Sequence, residues 1–148
     1  MNDVIENRTF DEIEIGESAS LARQLTERDI QLFAVMSGDV NPAHVDHEYA
    51  RDDQFHQIIG HGMWTGSLIS TVLGTQLPGP GTIYEDQSLH FPAPVRPGDT
   101  VTVKVTVKEK DPKRAGVVFD CTCTRQDGTV VVSGTAEVIA PREKIRRN

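Results

Sequence analysis

An α+β fold, with one antiparallel sheet curved round a single long apolar helix, is what the sequence predicts. Two observations carry it. The stretch GMWTGSLISTVLGTQL, residues 62–77, holds no charge and is apolar or small nearly all round, the pattern of a helix that asks for burial on every side. Downstream the pattern changes to period two, with valines at 101, 103, 105 and 107, and turn signals separate one alternating run from the next. Strands joined by tight turns are antiparallel, and a sheet with one apolar face needs cover. The uncharged helix supplies it, which makes the architecture a hot-dog.

The elements follow in chain order. Ile13 and Ile15 alternate with acidic residues before Gly16, which predicts a short edge strand and a turn. Thr26 opens the first helix, with Asp29 placed to complete a capping box. Ile30, Phe33 and Ala34 keep helical spacing, and Gly38 supplies the stop. A short helix is expected from His47 to Arg51, capped by Asp46, and DDQFHQIIGHG is a loop into the long helix. On that helix Gly66, Ser70 and Gly74 form one small-residue stripe, and PGPG ends it. The strands are TIYEDQSLHF, VTVKVTVKE, VVFDCTCTR and TVVVSGTAEVIA, linked as consecutive hairpins through PVRPGDT, DPKRAG and QDG. Asp127–Gly128 is the favoured hairpin step.

Length and charge bound the function. The 148 residues make one domain, 1–148, with a basic tail at about 141–148 that reads as a solvated end. The polar, acidic N-terminus lacks the charge and apolar core of a signal peptide. No apolar stretch is long enough to cross a bilayer, so neither a membrane role nor export is expected, and the cytoplasm is the expected location. A net charge of −7 argues against a nucleic-acid partner. Cys121 and Cys123 face the same side of a strand and read as small core hydrophobes.

The chemistry concentrates in SGDVNPAHVDHEYAR, residues 37–51. Taken singly, Asp39 is an acid in a turn, Asn41–Pro42 an ordinary turn step and His44 a satisfied histidine. Together, Asp39-x-Asn41-Pro42-x-His44 sets an acid and an imidazole either side of a stiff step, and reacting groups need that rigidity. His44, His47, His56 and His61 cluster with Asp46, but no established zinc spacing fits, so no metal site is expected. Gly60-His61-Gly62 stands at the start of the long helix. Its free backbone N–H groups would polarise a carbonyl oxygen there.

FAVMSGDVNPAHVDHEYAR, IIGHGMWTGSLIS and FPAPVRPGDTV together resemble the MaoC-like (R)-specific enoyl-CoA hydratases over about Phe33 to Val107. The resemblance implies a hot-dog fold and addition of water to a trans-2-enoyl thioester, or its reversal. It implies that Asp39 and His44 hold and activate the water and that the Gly62 N–H binds the thioester carbonyl. Ser70 is a supporting polar contact and Asn41 braces the loop. Gln57 and Gly60 depart from the proline and small apolar residue frequent in relatives. The resemblance implies an acyl-CoA or acyl-carrier-protein thioester as substrate, and no cofactor is expected. Arg96, Lys113 and Arg114, in turns beside the strands, are candidates for the CoA phosphates. The open sheet edges, with a family pocket at a subunit junction, imply a homodimer or a dimer of dimers. Two other readings share the groove: a hot-dog acyl-CoA thioesterase, and a non-catalytic acyl-thioester binding protein that has no need of Asp39 and His44 together.

Overall fold

The computed structural model describes residues 4–148. Five strands form the main sheet: β2 (Ser18–Gln24), β3 (Ile83–Gln87), β4 (Thr100–Asp111), β5 (Gly116–Arg125) and β6 (Val130–Ile139). Their order is β2-β4-β5-β6-β3, and every pairing is antiparallel. The sheet wraps one long helix, α4 (Gly62–Thr75), so the predicted hot-dog architecture is observed.

Period two explains the sheet's inner face. Val101, Val103, Val105 and Val107 on β4, Val117, Phe119, Cys121 and Cys123 on β5 and Val132, Ala136 and Val138 on β6 are all buried. Against them α4 lays Trp64, Leu68, Ile69, Val72 and Leu73. Burial pushes the Cys121 thiol up to about 11 and the Cys123 thiol to about 12, so both stay protonated, inert packing groups. Their expected role as core hydrophobes holds.

Helix α1 (Glu27–Ser37) has the predicted ends. Thr26 and Asp29 form the full capping box, and Gly38 closes the helix at φ 79° with its N–H on the Ala34 carbonyl. Asp46 caps α3 (His47–Asp52) through the Tyr49 N–H. Asn41–Pro42 does more than turn the chain. Pro42 opens a four-residue helix, α2 (Pro42–Val45), and the Asn41 side chain caps it by accepting from the Ala43 N–H.

Four expectations are corrected. Residues 13–16 form turns rather than a strand: Ile13 is buried, Ile15 is exposed, and the Gly16 N–H bonds the Val107 carbonyl. The first edge strand is instead β2, whose weakly apolar SASLARQ carries little alternation. The link from β3 to β4 is not a hairpin, because β3 pairs with β6 while residues 91–99 cross the start of α4, tied by the Gly60 N–H to the Val95 carbonyl. Helix α4 is not buried all round, since Gly62, Met63, Ser67, Ser70, Thr71 and Gly74 face outward. Finally, the basic tail is not a free end. Arg146–Arg147 (β7) pairs with Ile5–Glu6 (β1), and buried Asn7 donates to the Pro80 and Glu143 carbonyls and accepts from the Ile145 N–H. Lys144 bonds the Asn7 carbonyl and pairs with Glu6 and Glu12.

Hydrogen bonds from the Thr9 backbone, then from Lys144, lower the Glu12 carboxyl from an ordinary 4.5 to about 2. A depressed folded-state pKa contributes stability that is present above 4.5 and lost as pH falls toward 2. Melting temperature should therefore fall from pH 5 to pH 2, and Glu12→Gln should flatten part of that fall in a calorimetric pH series.

Candidate active site

Three chain segments meet where α1 ends and α4 begins. Gly38 releases the chain from α1 into Asp39, whose carboxylate accepts from the Asn41 N–H. This small turn, followed by the Asn41 cap, presents His44 from α2 half-buried. The His44 Nδ1–H donates to the Ile59 carbonyl at 2.7 Å. That bond leaves Nε2 as the ring's free acceptor.

The third member is His61, which caps nothing with its side chain at the α4 N-terminus. It is only 3% exposed. Its Nε2–H donates to the Asp39 carbonyl at 2.9 Å, and its ring stacks on His44 with centroids 4.0 Å apart and planes 26° from parallel. Phe33 packs on its side at 4.8 Å. A donor atom from each of Asp39, His44 and His61 lies within 4.8 Å of the others. Such a trio invites a metal reading, but stacked imidazoles aim their in-plane lone pairs side by side rather than at one point, whereas a transition-metal site needs convergent ligands. His47 is paired with Glu27 and His56 sits on an exposed loop, so neither joins them. The arrangement suits proton transfer and water binding better than ion ligation.

A cavity of about 350 Å³ opens beside these rings, lined by His44, Phe55, His61, Gly62, Phe91 and Val132 among others. Its mixture of apolar walls and few polar groups is that of a small-molecule site. Gly62 stands at its rim. An added Cβ there would lie 2.9 Å from the Phe91 ring, so glycine is required by close packing and not by backbone angle. Gly60 is squeezed likewise, its added Cβ falling 2.6 Å from Leu25 Cδ2. The ring of Phe91, 49% exposed, thus roofs the first turn of α4, whose leading N–H groups have no helical acceptor.

The other predicted residues fall further off. Ser70 lines a second, more apolar cavity of about 550 Å³ on the outer side of α4, with Phe33, Met63, Gly66, Tyr84 and Leu89. The Phe33–His61 contact stands between the two cavities. Arg96 follows Val95 at the first cavity's edge. Lys113 and Arg114 lie in the β4–β5 hairpin, and Arg114 is bound to Glu85 at 2.9 Å. From Val131 at the cavity to Ile139, which pairs with Gly116 beside that hairpin, the strand runs roughly 25 Å at about 3.3 Å per residue. Within one chain, Lys113 and Arg114 are therefore remote from the cavity that Arg96 borders.

The match of residues 11–127 to the model of the MaoC like domain covers most of the chain. The chain belongs to the MaoC-like family. It is 53% identical over 132 residues to an (R)-specific enoyl-CoA hydratase of Rhodospirillum rubrum, covering 89% of this chain and 91% of that protein. It is 43% identical to a 3-hydroxybutyryl-CoA dehydratase of Methylorubrum extorquens, over 91% of this chain and 85% of that one. In structure it superposes on the unliganded R-hydratase PhaJ1 of Pseudomonas aeruginosa with a TM-score of 0.94 and 44% identity, covering 99% and 94% of the two chains. Of its Asp-x-Asn-Pro-x-His and His-Gly-Met elements, this MaoC-like chain places His44, His61 and Gly62 on the cavity wall, with Asp39 close behind the two imidazoles.

Sequence reasoning gave no role to three side chains that line this cavity. His61 was visible in a histidine cluster and at the helix start, and its burial singles it out. Phe91 had no signal beyond being aromatic. Thr65 lines the same cavity, and its buried hydroxyl has no partner among the described residues, whereas the hydroxyls of Thr71 and Thr75 on the same helix bond back to carbonyls four residues earlier.

Gly62→Ala should cost about 1–3 kcal/mol, the range for overpacking a close contact. Phe91→Ala removes the obstructing ring, so Gly62→Ala should cost markedly less in that background. Urea unfolding of the two single variants and the double variant measures the difference.

Proposed function

We propose that this protein adds water to trans-2-enoyl-CoA to give (R)-3-hydroxyacyl-CoA, and catalyses the reverse dehydration. The observation that carries it is the approach of the Asp39 carboxylate and His44 at the end of the loop, facing an uncapped helix start. Relatives named for both directions of this reaction support it.

The chemistry follows from the geometry. The α,β-unsaturated thioester lies with its carbonyl oxygen on the Gly62 N–H. A water between Asp39 and the free Nε2 of His44 gives a proton to this pair, and its oxygen bonds C3. The C2–C3 π electrons move toward the thioester oxygen, where the helix N–H groups stabilise the enolate. The pair returns a proton to C2, so one water is added in full. Acid–base groups contribute about 10²–10⁴ each, and oxyanion donors a comparable factor. Asn41, as the cap of α2, holds His44 at its angle. No metal or redox cofactor enters the scheme.

Arg96 is the cation best placed to meet the CoA phosphates. It makes no ion pair among the described residues and opposes the repulsion of a chain with net charge −7. Either CoA or acyl carrier protein satisfies the thioester chemistry. No helix among the described residues is long and apolar enough to cross a membrane, in keeping with a cytoplasmic enzyme acting in acyl-thioester metabolism.

The test is to follow loss of conjugated-thioester absorbance with crotonyl-CoA beside a free-thiol assay. Hydration without thiol release supports the proposal, and thiol release alone makes the protein a thioesterase. Asp39→Asn and His44→Ala should each lower turnover by about 10²–10⁴, and the double change should add little, because groups acting as one unit are not additive. Near-normal hydration by Asp39→Asn would refute these roles.

A second copy completes the fold. Leu32, Val35 and Met36 on α1, Met63 on α4 and Ile83 and Tyr84 on edge strand β3 are exposed, and these three elements converge on the second cavity. Such apolar exposure beside an unpaired strand edge marks an association surface. Ser70 would then face the subunit junction. Light scattering should give a dimer or larger species at micromolar concentration, and an active monomer would contradict it.

A further inference from the structure

One side chain bonds the Asp39 backbone directly to the helix start that bears Gly62. His61 lies directly before Gly62 in the chain, donates through Nε2 to the Asp39 carbonyl at 2.9 Å and supports the His44 ring at 4.0 Å. It thus touches the two residues of the reacting pair and is bonded to the third group, the oxyanion donor. Its ring is almost wholly buried, and its tautomer is set. With the proton on Nε2, the other ring nitrogen is an acceptor, and Nδ1 is buried with no partner among the described residues.

We propose that His61 is the positioning residue of this site: it sets the spacing of Asp39, His44 and the Gly62 N–H without itself exchanging a proton with substrate. This rests on the hydratase reading for its consequence in rate but not for its geometry. His61 fixes the loop at Asp39 through the backbone, so the carboxylate is aimed by a bond to its own residue's carbonyl. The flat ring behind His44 limits tilt of the imidazole about its bond to the Ile59 carbonyl. Reacting groups displaced by about 1 Å lose on the order of 10² in rate.

Two substitutions separate the contacts. His61→Gln keeps an N–H at nearly the reach of Nε2 and loses the ring, while His61→Phe keeps a flat ring and loses the donor. His61→Phe should lower kcat for crotonyl-CoA about 10²-fold with KM changed less than about threefold, and His61→Gln should recover most of that loss. Both limbs of the pH–rate profile should keep their midpoints in His61→Gln, since the titrating groups remain. A limb that disappears would make His61 a proton carrier and overturn the proposal. So would kcat values near wild type in both variants, or losses that track melting temperature alike in both. The carbonyl carbon shift of Asp39, read by NMR in the resting protein, should move in His61→Phe and return in His61→Gln. That readout holds even if the wild type shows no hydration, a result that would sink the hydratase reading instead. An unmoved Asp39 carbonyl in His61→Phe would overturn the positioning role outright.

Discussion

The hydrogen bond from His61 to the Asp39 carbonyl spans 22 positions of sequence and joins a mobile kind of structure, a loop, to a rigid one. Its rigid end is secured by burial. Ile69, Val72 and Leu73 lock α4 against the valine-rich face of β4, and side chains in such interiors have little freedom to shift. Its loop end is secured by caps. Gly38 stops α1, and Asn41 starts α2 two residues after Asp39. The site therefore takes its geometry both from the core, through this contact and the His44–Ile59 bond, and from the caps of its own loop.

The surroundings of that contact are shaped by what is missing. Glycines at 60 and 62 let the Leu25 side chain and the Phe91 ring close on the helix start. The same closeness keeps the leading N–H groups of α4 beside apolar walls, where an electrostatic contact to a carbonyl is stronger than in water. On the outer side of α4 the small stripe does the opposite work. Ser70 and Gly74 leave the helix bare beside the second cavity. One helix thus serves the core with one face and the first cavity with its opening turn.

The strongest periodicities were legible in the sequence: the valines of β4, the capping box of Thr26 and Asp29 and the glycine stop at 38. Each is a local rule that tertiary packing had no reason to override. Strand β2 was not legible, because SASLARQ is an edge strand with few large apolar residues and gains its place from pairing with β4. The tail misled for a related reason. Its arginines and lysines read as a solvated end, yet buried Asn7 and the acids at 6 and 12 fold it into place, partners more than a hundred residues away. Asp39, Asn41, His44 and Gly62, the residues the sequence singles out, fall in two short stretches that the fold brings to one end of α4. His61 and Thr65 matter through burial, and Lys113 and Arg114 were grouped with Arg96 only because turns look alike in sequence. Separation along a strand is invisible until register is known.

The most direct measurement is a crystal structure of the Asp39→Asn protein soaked with crotonyl-CoA. The thioester oxygen should lie within hydrogen-bond distance of the Gly62 N–H, with C3 facing the residue 39 side chain and His44 Nε2. A thioester seated with its carbonyl away from the start of α4, or with C3 out of reach of His44, would contradict the hydration chemistry drawn from this site.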